Sequence, residues 1–127
     1  MSSLETTRER RAASARRRSA IPKYLFEASY TEEGAKGLIR DGGSKRRAAV
    51  DAMAKGLGGR VEAFYFTYGD TDALVIIDLP DSASATAASL TVGASGAARV
   101  KTTVLITPEE VDQAVKKTVH YRAPGAK

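Results

Sequence analysis

The stretch Val61-Glu62-Ala63-Phe64-Tyr65-Phe66-Thr67, followed by Tyr68-Gly69-Asp70-Thr71-Asp72 and then Ala73-Leu74-Val75-Ile76-Ile77-Asp78-Leu79, decides the fold. Both flanking runs are rich in β-branched and aromatic residues, and the link between them carries the Gly/Asp chemistry of a chain reversal. A β-hairpin is therefore expected at the middle of the chain. Its tip brings a glycine and two carboxylates together, so it is also the first place to look for a site.

Working outward, Pro22 to Tyr30 reads as a strand with Tyr24, Phe26, Ala28 and Tyr30 on one face and Leu25, Glu27 and Ser29 on the other. Thr31, followed by Glu32 and Glu33, reads as the capped start of a helix. Its apolar stripe runs through Ala35, Leu38, Ile39, Gly42, Val50, Met53 and Leu57. Gly42-Gly43 interrupts the stripe, which predicts a kink or two helices, and Gly58-Gly59 ends it. After the hairpin, Pro80-Asp81-Ser82 opens a helix of small residues from Ala83 to about Ala97, with Leu90 as its one large apolar side chain. Arg99 to Ile106 alternates as a fourth strand, and Thr107-Pro108-Glu109-Glu110 is a capping box with proline at the first helical position.

The order β-α-β-β-α-β plus a terminal helix is that of an α+β, ferredoxin-like fold: a four-stranded antiparallel sheet with helices on one face. The expected divisions are an Arg/Ser-rich disordered extension over 1–20, one domain over 21–117, and a C-terminal arm over 118–127. The extension reads as a disordered segment, with Met1 not necessarily the natural start, or alternatively as an arm for nucleic acid, an acidic surface or targeting.

At 127 residues the chain holds one core. It has no cysteine, one histidine and no tryptophan, which excludes disulfides, thiolate metal sites and a cysteine nucleophile. No metal and no cofactor are expected. The net charge of +5 is concentrated in the first 20 residues, where six arginines face two glutamates; the remaining 107 residues carry 14 basic and 13 acidic side chains. The folded part is thus almost neutral, so nucleic acid is not an expected partner except through the N-terminal arm. No apolar run approaches a membrane span and no signal-peptide core follows the basic start, so the expected location is cytoplasmic.

Simple alternation gives Val61, Ala63, Tyr65, Val75, Ile77, Leu79, Val100, Val104 and Ile106 to the helix-covered face. It leaves Phe64, Phe66, Leu74, Ile76, Leu25 and Leu105 on the other, among Glu27, Glu62, Asp78, Arg99 and Lys101. So large an apolar patch predicts a homodimer, or a higher homo-oligomer, packed sheet against sheet. Glu27 and Lys101, on neighbouring strands, are an expected charge pair.

Candidate site residues fall into four groups. Tyr68, Gly69, Asp70 and Asp72 form the hairpin tip, with Asp72 a possible acid or base, although aspartate also favours turns for its own backbone hydrogen bonds. Gly42-Gly43-Ser44-Lys45-Arg46-Arg47 is a glycine step into a basic helix where Lys45 and Arg46 suit an anion, or simply a packing kink. It is not a phosphate-binding loop of the nucleotide-hydrolysing kind, since Gly43 stands where lysine is required and a helix, not a strand, precedes it. Tyr30, Phe64, Tyr65 and Phe66 are expected to line a pocket between sheet and helices, with Lys101 on the sheet. His120, in the arm, has an unperturbed pKa near neutrality and is the second candidate base.

Tyr24-Leu25-Phe26, Gly34-Ala35-Lys36, Lys45-Arg46-Arg47, Phe64-Tyr65-Phe66, Gly69-Asp70-Thr71-Asp72, Leu79-Pro80-Asp81 and Lys101-Thr102-Thr103, in this order, resemble the GYD-domain family over Tyr24 to Thr107. The family pattern at the hairpin is glycine, a variable residue, tyrosine and aspartate; here Thr71 replaces the tyrosine. The resemblance implies a dimeric α+β barrel and no particular reaction. Two functions are therefore carried forward. One is a homodimeric small-molecule-binding or stress-associated protein without catalysis. The other, by analogy of fold alone, is a cofactor-free monooxygenase or isomerase.

Overall fold

The computed structural model describes residues 6–10 and 21–126. The expected disordered extension lies outside these residues apart from 6–10, where one helical turn is closed by reciprocal Thr6 and Glu9 hydrogen bonds. The elements run β1 (Lys23–Tyr30), α1 (Glu32–Asp41), α2 (Gly43–Gly56), β2 (Arg60–Phe66), β3 (Ala73–Asp78), α3 (Ser82–Ala94), β4 (Ala98–Leu105) and α4 (Pro108–Ala114). The strands form one sheet in the order β2-β3-β1-β4, and every neighbouring pair is antiparallel. This is the expected ferredoxin-like arrangement with an additional C-terminal helix.

Local chemistry sets the helix boundaries. The side chains of Thr31, Asp81 and Thr107 each accept a backbone N–H from the first turn of α1, α3 and α4, and Thr107 and Glu110 complete the reciprocal box. Between α1 and α2 the chain bends at Gly42, whose φ of 84° lies in the left-handed region that side chains disfavour. Two helices result, as the double glycine suggests.

The core lies between the sheet and helices α2 and α3. Tyr24, Phe26, Phe64, Val75, Ile77 and Leu79 pack against Val50, Ala54, Ala85 and Ala88, and Ile77 and Leu79 are completely enclosed. On α3 the buried positions are alanines, so the helix sits close to the sheet while Leu90 points outward and is 68% exposed. The predicted stripe continues poorly into α1: no α1 residue is fully buried, and Ile39 is exposed.

One strand departs from simple alternation. Val61 pairs with Ile77, but the next pairing is Ala63 with Ile76, so β2 carries one extra residue at Glu62. Such a bulge reverses the face of everything beyond it. Phe64 and Phe66 therefore point into the helix-covered core, where their rings meet edge to face at 5.1 Å, and Ala63 and Tyr65 turn to the opposite face. The expectation of Ala63 and Tyr65 inside and both phenylalanines outside is corrected. Ile106, also assigned to the covered face, lies past the end of β4 and is 58% exposed.

Candidate ligand cleft and open sheet face

The registers arrange the uncovered face in rows across β2, β3, β1 and β4. Arg60, Asp78, Lys23 and Leu105 form one row; Ala63, Ile76, Leu25 and Thr103 the next; Tyr65, Leu74, Glu27 and Lys101 the third; Ser29 and Arg99 lie beyond. Apolar residues thus occupy the middle and charges the two ends.

The two charged ends are built differently. At the first, Asp78 is buried and receives Lys23 Nζ at 2.8 Å and Arg60 Nε at 3.2 Å, while Lys23 also reaches Glu62 at 3.2 Å. The Asp78 hydrogen bond holds the Lys23 ammonium above its ordinary pKa, against a smaller opposing effect of burial. At the second end, Glu27, Arg99 and Lys101 line a shallow hollow of about 260 Å³ with Ser29, Asp70 and Thr71. Glu27 and Lys101 are cross-strand partners, as expected, yet form no ion pair within 4.0 Å. The Glu27 carboxylate instead accepts from the Thr71 hydroxyl at 3.5 Å.

The hairpin tip is a clasp. The Tyr30 N–H donates to Asp72 Oδ2, and the Asp72 N–H donates to the Ala28 carbonyl, both at 2.8 Å. Ser29 Oγ donates to the Asp70 carbonyl, and the Thr67 hydroxyl to that of Thr71. Asp72 therefore fastens the link to the end of β1. Tyr68, Gly69 and Asp70 stand exposed at the tip, Tyr68 at 88%.

On the helix side, Tyr30 and Arg46 meet at a cleft of about 350 Å³ formed by α1, the start of α2 and the Ser95–Ala97 turn. Gly34 allows that turn to approach α1: a Cβ there would lie 1.9 Å from the Ala97 carbonyl oxygen, which accepts the Thr31 N–H. Arg46 also borders a small apolar pocket of about 40 Å³ beneath α2 and α3, lined by Phe26, Val50, Met53, Val75, Val92 and others. Lys45 is exposed beside it.

The candidate residues consequently divide between two faces. Tyr30, Arg46, Phe64 and Phe66 belong to the helix side; Tyr65 and Lys101 belong to the open side, where Lys101 shares a hollow with Asp70. The pocket expected from Tyr30, Phe64, Tyr65 and Phe66 together does not form. His120 is exposed on the arm. Among the described residues no group of His, Asp or Glu side chains is suited to hold a metal ion, and no helix is long and apolar enough to cross a membrane. The cleft residues Glu33, Gly37 and Asp41 were not singled out from sequence; the Gly34-x-x-Gly37 spacing, which bares one wall of α1, is the signal that marked them.

The sequence model described as GYD domain matches residues 24–115, from β1 through the whole of α4. Comparison with curated proteins and with solved structures gave no match.

Proposed function

This chain belongs to the GYD-domain family, and we propose that it acts as a cytoplasmic homodimer that binds a small molecule between its helices and sheet. The observation that carries the reading is the open face: an apolar middle of Leu25, Ile76, Leu74 and Tyr65 flanked by charged ends, the anatomy of a protein interface. Loss of Phe64 and Phe66 to the core makes this patch smaller than alternation alone suggests. Four strands about 4.8 Å apart and about 20 Å long present roughly 400 Å². A stable interface takes about 800 Å² from each partner.

The C-terminal arm supplies the remainder. Val111 and Val115 lie one turn apart at the end of α4, Val119 and Tyr121 follow beyond the helix, and all four are 48 to 76% exposed; among the described residues no other element packs substantially against α4. In a dimer these residues lie against the second copy, beside its open sheet.

Binding without catalysis is favoured by the placement of the two candidate bases. Asp72 is engaged by the Tyr30 N–H, and His120 is on the exposed arm, so neither faces a closed cavity. Native mass spectrometry of the protein purified from its own host tests the reading. A dimer retaining a small molecule is expected, and an empty monomer contradicts it.

A further inference from the structure

Arg46 is the half-buried cation of the helix layer; Arg40, Lys45 and Lys55 also form no ion pair among the described residues, but they are exposed. Lys36 pairs with Glu32 and Arg47 with Asp51, each one turn away along its helix. Arg46 forms no ion pair with any described residue, and its Nε is buried with no hydrogen-bond acceptor. A guanidinium keeps its charge at any accessible pH and offers five donors in a planar fork. Leaving one of those donors buried and unmet is unfavourable, so a water or a ligand group is needed to satisfy it.

The surroundings state what would meet it. Arg46 is the residue shared by the 350 Å³ cleft and the 40 Å³ apolar pocket. On the cleft side, Gly34 and Gly37 bare the α1 wall, and Arg40 lies back over Gly37. On the inner side the lining is almost entirely hydrocarbon: Phe26, Val50, Met53, Val75, Val92 and Val100. That inner volume is far smaller than the cleft, which suits a short alkyl end.

We propose that Arg46 anchors a small monocarboxylate, its carboxylate on the guanidinium in the cleft and a short apolar end in the inner pocket. This rests on the small-molecule reading above and names the class of ligand. A planar carboxylate matches the Arg fork with two parallel hydrogen bonds. Glu33 and Asp41 line the same cleft and balance Arg40 and Arg46, so a dianion such as phosphate meets two carboxylates as it enters. The inner pocket offers nothing to a second charged group.

Nuclear magnetic resonance titration of the full chain with butyrate, its neutral isostere butyramide, and inorganic phosphate tests the proposal. Butyrate is expected to shift the amides of Tyr30, Gly34, Arg46 and Gly96 and to bind at least tenfold more tightly than butyramide or phosphate. Arg46→Met, checked for an unchanged amide spectrum elsewhere, should lose at least tenfold in butyrate affinity, and Arg46→Lys should lose less. Equal binding of butyramide and butyrate by the unaltered protein overturns the carboxylate anchor but leaves a small-molecule pocket, as does undiminished butyrate binding by Arg46→Met. Tighter binding of phosphate overturns the ligand class. Silence from all three probes overturns the anchor and the pocket together.

Discussion

Ile76 and Ile77 are neighbours in β3 and face opposite ways. Ile77 is 1% exposed under α2 and α3, while Ile76 sits half-buried in the middle of the open face between Leu25 and Ala63. The two surfaces of one sheet thus have different debts. The helices have already removed one from water within the single chain; the other is still partly wet and has an apolar middle with charged ends. Residues on the first face stabilise the single chain, and the proposed assembly rests on residues of the second.

The largest expected effect lies on the covered face. Ile77→Ala should cost about 2–5 kcal/mol of stability by denaturant unfolding, because it removes enclosed hydrocarbon and leaves a cavity. A loss below about 1 kcal/mol would break the division between the faces. Next comes the bulge, best measured in the Ile76→Lys background, which is expected to be monomeric, so that assembly does not intrude. There Phe66→Ala should cost about 3 kcal/mol or more, against less than about 1 kcal/mol for Tyr65→Ala. The reverse order would restore simple alternation through β2.

A third test separates the two charged ends of the open face. A Lys23 pKa raised above its ordinary 10.5 means that the folded state binds the proton more tightly than the unfolded state. The stabilisation is fully present below pH 10.5 and is lost as the pH rises through the elevated folded value. Thermal unfolding between about pH 9 and 12 should therefore show an alkaline decline that Asp78→Asn diminishes. An identical decline in the variant would detach Lys23 from Asp78. The smallest effect is expected at the other end: Glu27→Gln should change stability by less than about 0.5 kcal/mol, since its nearest polar contact is a long one to Thr71.

Much of this was legible in the sequence because local signals agreed with one another. The caps at Thr31 and Thr107, the reversal after Phe66 and the small-residue helix at Ser82–Ala94 each required only neighbouring residues to be read. The faces of β1, β3 and β4 also followed from alternation. The face of Phe64 and Phe66 did not, because one extra residue at Glu62 inverts the pattern and nothing in Val61-Glu62-Ala63 announces it. The size contrast was the available clue: placing Ala63 and Tyr65 inside leaves two phenylalanines in water. The cleft was harder to foresee, since it joins Gly34, Arg46 and Gly96 from three segments that meet only through the close approach of the Ser95–Ala97 turn. Arg46 was visible as a cation; its lack of a partner was not.

Sedimentation velocity at micromolar concentration, on the unaltered chain and on Ile76→Lys, tests the central claim most directly. The unaltered chain should sediment at twice its 13.5 kDa mass and Ile76→Lys at 13.5 kDa with its circular dichroism intact. A monomer for the unaltered chain, or a dimer that persists in Ile76→Lys, would contradict assembly through the open sheet face.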